Sequence, residues 1–344
     1  MKKWLYNIGA MLLSTFIMLL VCEGIVWLVK PQQLAPVKFM YDKDMGLIHI
    51  PNLKGSEYRP LNYDINFTNG DDGFRITHKG ELPDFVHKKI MFIGDSFTYG
   101  KGVNDHETFA YALQQTLIRD SVEIINAGVE GRGTDHALRS YQFYKKKYQP
   151  NTVIYFAHFN DLADNVRDEY YTVVNDSTLT PKTFEKLTGG TKEKLQKNKL
   201  YNWLVSHSHF FSLLKAVLVK LLIPDQIVTY DGAIDMDRAK KLTSIYIEQL
   251  RKEVEADGRN FLVYYTPAIN DIDARSKGGQ TEQEAFFANY FRDKDIEFYN
   301  LSEDFIDSGE TNILKHFYLL EGHWNPKGHQ LVAEKLKTDA NGFY

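Results

Sequence analysis

From residue 88 onward, short apolar runs alternate with segments of helical spacing, and this alternation constrains the chain more than any other feature. The runs KKIMFIG, VEIINAG, NTVIYFAHF, NFLVYYTPA and IEFYNLS each read as a strand. Between them, ETFAYALQQTLIRD, DHALRSYQFYKKKY, DRAKKLTSIYIEQLRKEVEADG and QEAFFANYFRDK carry apolar residues at helical spacing, and PKGHQLVAEKLK, with proline in its first turn, closes the series. Strands separated by amphipathic helices describe parallel βαβ units. The predicted fold class is therefore α/β, a three-layer α/β/α sandwich with a parallel sheet. Ligands of such sheets bind beyond the carboxyl ends of the strands. The stretches Gly94-Asp95-Ser96, Asn126-Ala127-Gly128 and Phe159-Asn160-Asp161 all fall at such ends.

The N-terminus makes a different demand. The segment from Ile8 to Val29 is apolar except around Glu23, long enough for the roughly 20 residues that a membrane span needs. Lys2 and Lys3 precede it, which by the positive-inside rule puts the N-terminus in the cytoplasm and the rest in the periplasm or outside the cell. The expectation is one N-terminal transmembrane helix, residues 1–30, as an uncleaved single-pass anchor and the chain's contact with the membrane. A cleaved signal peptide would want a small-x-small site after the apolar run, and a lipid anchor on Cys22 would want a small residue where Val21 stands. Glu23, near the far end, is expected at the interface, where a carboxylate costs far less than at mid-bilayer.

Residues 31–87 are rich in Pro, Asn, Asp and Gly without a long period, and read as a linker and irregular N-terminal lobe. The strand–helix alternation then covers 88–340, interrupted by a helical insertion at about 164–234. Residues 175–200 look like a surface loop. The run from Phe210 to Ile223 is apolar but carries Lys215 and Lys220, which argues against a second span. It reads as an amphipathic cap helix packed on the domain, or as a helix on the membrane surface or lining an acyl or glycan groove. The single cysteine excludes an internal disulfide, and a net charge of −4 offers no basic footprint, so no nucleic-acid partner is expected.

Four stretches carry groups with chemical potential. Ser96 closes the first strand, where it is either a nucleophile or a turn cap. In NAGVEGRGTDH, Gly131 can offer a backbone N–H to an oxyanion, while Thr134 or Asp135 caps the next helix. Asn160 can donate its amide to an oxyanion or simply form an Asx turn. In LLEGHWNPKGH, His323 stands two residues after Glu321, as a base oriented by a carboxylate would. His329 reads as structural or merely exposed. The spacing of Glu321, His323 and His329 matches no common metal-ligand pattern, and no cofactor is implied.

Taken together and in this order, these stretches resemble the SGNH or GDSL-type hydrolase family, and most of all its membrane-anchored bacterial members. The resemblance covers roughly residues 65–340, including the DDGFR lead-in. It implies a flavodoxin-like SGNH hydrolase fold, Ser96 as nucleophile, His323 as base, and the backbone of Ser96 with Gly131 and Asn160 as the oxyanion hole. Two positions depart from the family pattern. His158 stands where Gly-x-Asn-Asp has its glycine, and Leu320 stands where the acid often precedes the histidine by three residues. Glu321 is then the nearest carboxylate, with Asp304 or a Ser-His dyad as alternatives. The activity implied is an extracytoplasmic esterase acting on acyl esters, acetyl or short-chain, or on an acylated glycan. An O-acyltransferase modifying a surface glycan would use the same residues. A catalytically silent binding protein would keep the same fold.

Overall fold

The computed structural model describes residues 2–83, 85–174, 178–184, 198–222 and 234–343, so most of the expected loop at 175–200 and the end of the apolar run at Ile223 lie outside the described residues. The chain divides into two compact units, one comprising Met1–Val37, Gly55–Asp64 and Gly190–Gly232, the other Lys38–Lys54, Ile65–Gly189 and Ala233–Tyr344.

In the larger unit five parallel strands form the sheet: β1 (Lys88–Gly94), β2 (Val122–Asn126), β3 (Thr152–Ala157), β4 (Asn260–Tyr265) and β5 (Phe298–Asn300), in the order β5-β4-β3-β1-β2. This is the doubly wound order, with its switch point between β1 and β3. The first strand has the expected bounds, whereas the other four were expected to run a few residues further than they do. β2, for example, ends at Asn126 because that side chain donates to the Thr98 carbonyl (2.8 Å) and accepts from the Gly128 N–H (3.2 Å), turning the chain away from the sheet.

Successive residues of a strand point to opposite faces, and both faces here are apolar. Met91, Ile93, Val153, Tyr155, Val263 and Tyr265 pack on one side against helices α4 (Thr134–Tyr148), α8 (Met236–Ala256) and α10 (Glu282–Asp293). Ile90, Phe92, Ile154, Phe156, Leu262 and Tyr264 pack on the other against α3 (Phe109–Leu117), α11 (Leu301–Ile306) and α13 (Pro326–Asp339). α8 shows why such a segment is a helix: Ala239, Leu242, Thr243, Tyr246, Ile247, Leu250 and Val254 form one buried stripe, and the Asp235 side chain accepts from the Arg238 N–H at the start. Shorter helices α2 (Ser96–Tyr99), α5 (Asp161–Asp168), α9 (Ile269–Ser276) and α12 (Ile313–Phe317) complete this unit.

The smaller unit contains α1 (Lys2–Val29), α6 (Lys199–His207) and α7 (His209–Leu222). Among the described residues, α1 is the helix long and apolar enough to cross a membrane, and α6 with α7 would qualify only as one span broken by a 104° bend.

His136 and His329 are buried so completely that burial pushes each imidazole down to about 3. His329 Nδ1 faces the Phe109 N–H at 3.3 Å and must be unprotonated to accept it. An unfolded histidine titrates near 6.5, so between about pH 6.5 and 3 the unfolded chain binds protons that the folded chain refuses, and stability falls as pH falls. Asp135, raised by burial to about 7, works in the opposite direction. A single-site comparison separates them. Denaturant unfolding of His329→Asn, which keeps an acceptor for Phe109, is expected to lose stability between pH 6 and 4 less steeply than the parent, by about 1.4 kcal/mol per pH unit, the value for one proton. Parallel slopes would show that His329 does not carry this acid sensitivity.

Candidate active site

The site is built at the carboxyl ends of β1, β3 and β4 and on the turn that precedes α13. Gly94 ends β1 where a Cβ would lie 2.3 Å from Thr98 Oγ1 and 2.9 Å from the Phe156 carbonyl, so no larger residue fits the turn. Asp95 is buried and caps α2, its Oδ1 accepting from the Phe97 N–H at 2.8 Å. Ser96 is thereby presented as the first residue of a four-residue helix, just beyond the sheet edge. The loop after β2 comes equally close: a Cβ on Gly128 would lie 2.5 Å from the Tyr99 nitrogen.

The second half of the site comes from residues 318–325. Tyr318 and Trp324 bridge, the Leu319 N–H donates to the His323 carbonyl (2.7 Å), and the Gly322 N–H donates to the Leu319 carbonyl (3.0 Å). Asn325 closes the turn by capping α13, accepting from the Lys327 and Gly328 N–H groups. Glu321 and His323 meet across this tight loop. His323 Nδ1 lies 2.7 Å from Glu321 Oε1, and His323 Nε2 lies 2.8 Å from Ser96 Oγ. With Nδ1–H donating to the carboxylate, the lone pair is on Nε2 and faces the serine hydroxyl, which donates to it. Leu320 points to solvent, 81% exposed. Asp304 lies on α11 and makes no bond to His323 among the described residues.

Phe97 locks the imidazole in place. Its ring stacks on His323 at 4.7 Å and meets His158 at a tilt at 4.3 Å, with Trp324 edge-on at 4.9 Å. His158 is buried in the wall of the site, its Nδ1–H donating to the Thr266 carbonyl at 2.6 Å. Burial holds its imidazole below the ordinary value despite the nearby Asp95 carboxylate, so the ring is neutral. Asp161 is structural, accepting from the His158 N–H and from the Tyr155 hydroxyl; burial, helped by the Asp95 charge, raises its carboxyl well above the usual range.

A cavity of about 320 Å³ opens over these groups, lined among others by Ser96, Phe97, His158, Phe159, Asn160 and His323. The Asn160 amide donates to Asp164 Oδ2 at 3.1 Å, leaving its second N–H uncommitted among the described residues. Gly131 is placed differently. It sits in the loop after β2 with φ of +66° and its carbonyl accepts from Arg167, but it is not among the residues lining this cavity. His329 is buried on α13, bonded to Phe109 and away from the serine. Phe97 and Thr266 have no signal in the sequence; the contact from Thr266 to His158 spans 108 residues.

Fold and site together define a serine hydrolase scaffold, and comparison with known families agrees. The GDSL-like Lipase/Acylhydrolase model matches residues 90–336, and the chain belongs to that family, as an SGNH-type ester hydrolase. Among solved structures it is similar to the psychrotrophic esterase EstA from Pseudoalteromonas sp. (13% identity, 74% of this chain and 98% of that one, TM-score 0.39). It is also similar to the acetyl xylan esterase AlAXEase (18%, 73% and 98%, TM-score 0.40) and to a GDSL-like lipase from Bacteroides thetaiotaomicron (11%, 77% and 94%, TM-score 0.41). No curated protein matches the chain.

Proposed function

We propose that the chain is a membrane-anchored serine esterase of the outer side, cleaving acetyl or other short acyl esters with Ser96 as nucleophile, His323 as base and Glu321 as the orienting acid. One observation carries this reading: the unbroken hydrogen-bond chain from Glu321 through His323 to Ser96. His323 Nε2 takes the Ser96 proton as Oγ attacks the ester carbonyl. The Ser96 N–H and the Asn160 amide are assigned to the oxyanion; Gly131, which does not line the cavity, keeps only the role the family resemblance gives it. The imidazolium then gives its proton to the departing alkoxide, and water, activated by the same nitrogen, releases the acid. The cavity supports a short acyl group, since about 320 Å³ is at the small end of ligand sites, and neutral, immobile His158 walls it where a glycine would leave space. α1 supports the anchor, with Lys2 and Lys3 on the cytoplasmic side.

Labelling of the full-length protein with a fluorophosphonate probe tests the reading. The expected result is a single adduct on Ser96, mapped by peptide mass spectrometry and lost in His323→Ala. A folded protein that takes no label would point instead to a silent binding protein of the same fold.

A further inference from the structure

We propose that α7, His209–Leu222, is a membrane-contact helix that lies along the outer boundary of the bilayer with one apolar face in the lipid. The proposal builds on α1 spanning that bilayer. Glu23 supplies the first argument. A carboxylate within an apolar helix needs partners, and Glu23 has three: Oε1 accepts from the His209 N–H (2.7 Å), and Oε2 accepts from the Phe210 N–H (2.9 Å) and the Ser208 hydroxyl (2.7 Å). Glu23 is therefore the cap of α7, and it ties the start of that helix to α1. A second tie runs from the Gln32 N–H to His209 Nδ1 at 2.8 Å.

Depth follows from helix geometry. Glu23 is twenty residues beyond Lys3, which at about 1.5 Å per residue is about 30 Å, the thickness of a hydrocarbon core. With Lys3 at the inner boundary, α7 begins at the outer one. It does not descend along the span, because α1 is exposed all the way from Gly9 to Val21 and beyond that is partly shielded at Cys22, Glu23, Gly24 and Val26. α7 leaves α1 at the level of Glu23.

Its own surface completes the case. At about 100° per residue, Phe210, Leu213, Leu214, Val217, Leu218 and Leu221 share one face. The last turns of that face are open, with Leu214 42%, Val217 46% and Leu221 70% exposed. Lys220 borders that face beside Leu213 and Lys215 lies beyond its other edge, where their stems can run along the apolar surface and their ammonium groups reach headgroups. Residues 198–222 contain three lysines and no carboxylate, which suits an anionic lipid surface. Trp203 on α6 and Trp27 on α1 are also exposed, as aromatic side chains of a membrane interface are. The occupant is thus a lipid bilayer carrying anionic headgroups.

The test uses the full-length protein, with Cys22→Ser to remove its only thiol, reconstituted in vesicles of phosphatidylcholine and phosphatidylglycerol. Single cysteines replace Leu214, Leu218 or Leu221, and each is labelled with nitrobenzoxadiazole. Leu13→Cys reports on α1 and Lys337→Cys on water. The α7 labels are expected to be quenched by lipid-borne nitroxide several-fold more than the Lys337 site and to be shielded from iodide. If Leu13 reports lipid while the α7 sites behave like Lys337, this proposal fails and the anchor stands. Shielding from both quenchers would mean that protein covers the face, and would also overturn it. An aqueous Leu13 would remove the anchor, and this inference with it.

Discussion

Ser96→Ala is expected to lower kcat for short-chain aryl esters by about 10⁴-fold or more while leaving the fold intact. The magnitude follows from removing the atom proposed to form the acyl intermediate; what survives in comparable enzymes is the contribution of oxyanion donors and binding alone. The fold is spared for a local reason. Ser96 Oγ makes its close contact to His323 Nε2 and a long one to Asp95 Oδ2 at 3.4 Å, while α2 is capped by Asp95 through the Phe97 backbone. Removing the hydroxyl leaves His323 Nε2 facing a cavity that water can enter, so no buried group is stranded. A change of less than about 1 kcal/mol in a unit of this size moves the unfolding midpoint by no more than about 2–4 °C. Ester hydrolysis and thermal unfolding measured on the same preparation check both halves. Activity within tenfold of the parent would remove Ser96 from the mechanism.

The fold was legible because its signals are local. Runs such as Ile90–Ile93 and Val153–Ala157 are apolar on both faces, and only a sheet covered on both sides buries them. Strand ends were less legible, because a side chain acting at long range sets them; Asn126 ends β2 by reaching Thr98, 28 residues away. The site divides in the same way. Ser96, Asn160 and His323 sit at points where a run stops, and sequence marks such points. The wall of the cavity is not marked. His158 and Thr266 meet only because β3 and β4 are neighbours in the sheet, and Phe97 meets His158 and His323 only across long stretches of chain. The apolar helix from Ile8 to Val29 was equally plain, but the purpose of Glu23 was not; only the fold shows that its carboxylate caps a helix, accepting from Ser208, 185 residues away.

The acid partner is the point at which sequence was weakest and geometry is most specific. With Leu320 turned to solvent, the loop closed by the Leu319–His323 backbone bond brings Glu321, one methylene longer than aspartate, to 2.7 Å from His323 Nδ1. Different losses follow for the two residues. His323→Ala removes the group proposed to move the proton, and it is expected to cost as much as Ser96→Ala. Combining the two should then cost no more than either alone, because a serine without its base and a base without its serine are equally idle. Glu321→Ala leaves the base in place but frees its tautomer, while Phe97 still holds the ring by stacking at 4.7 Å. The expected loss is smaller, about 10²- to 10⁴-fold in kcat. Kinetics of the three single variants and of the Ser96→Ala/His323→Ala double variant on one ester decide the matter. A Glu321→Ala loss equal to that of His323→Ala would mean that the carboxylate is needed to hold His323 in the site at all. A loss below about tenfold would reduce the site to a Ser-His pair.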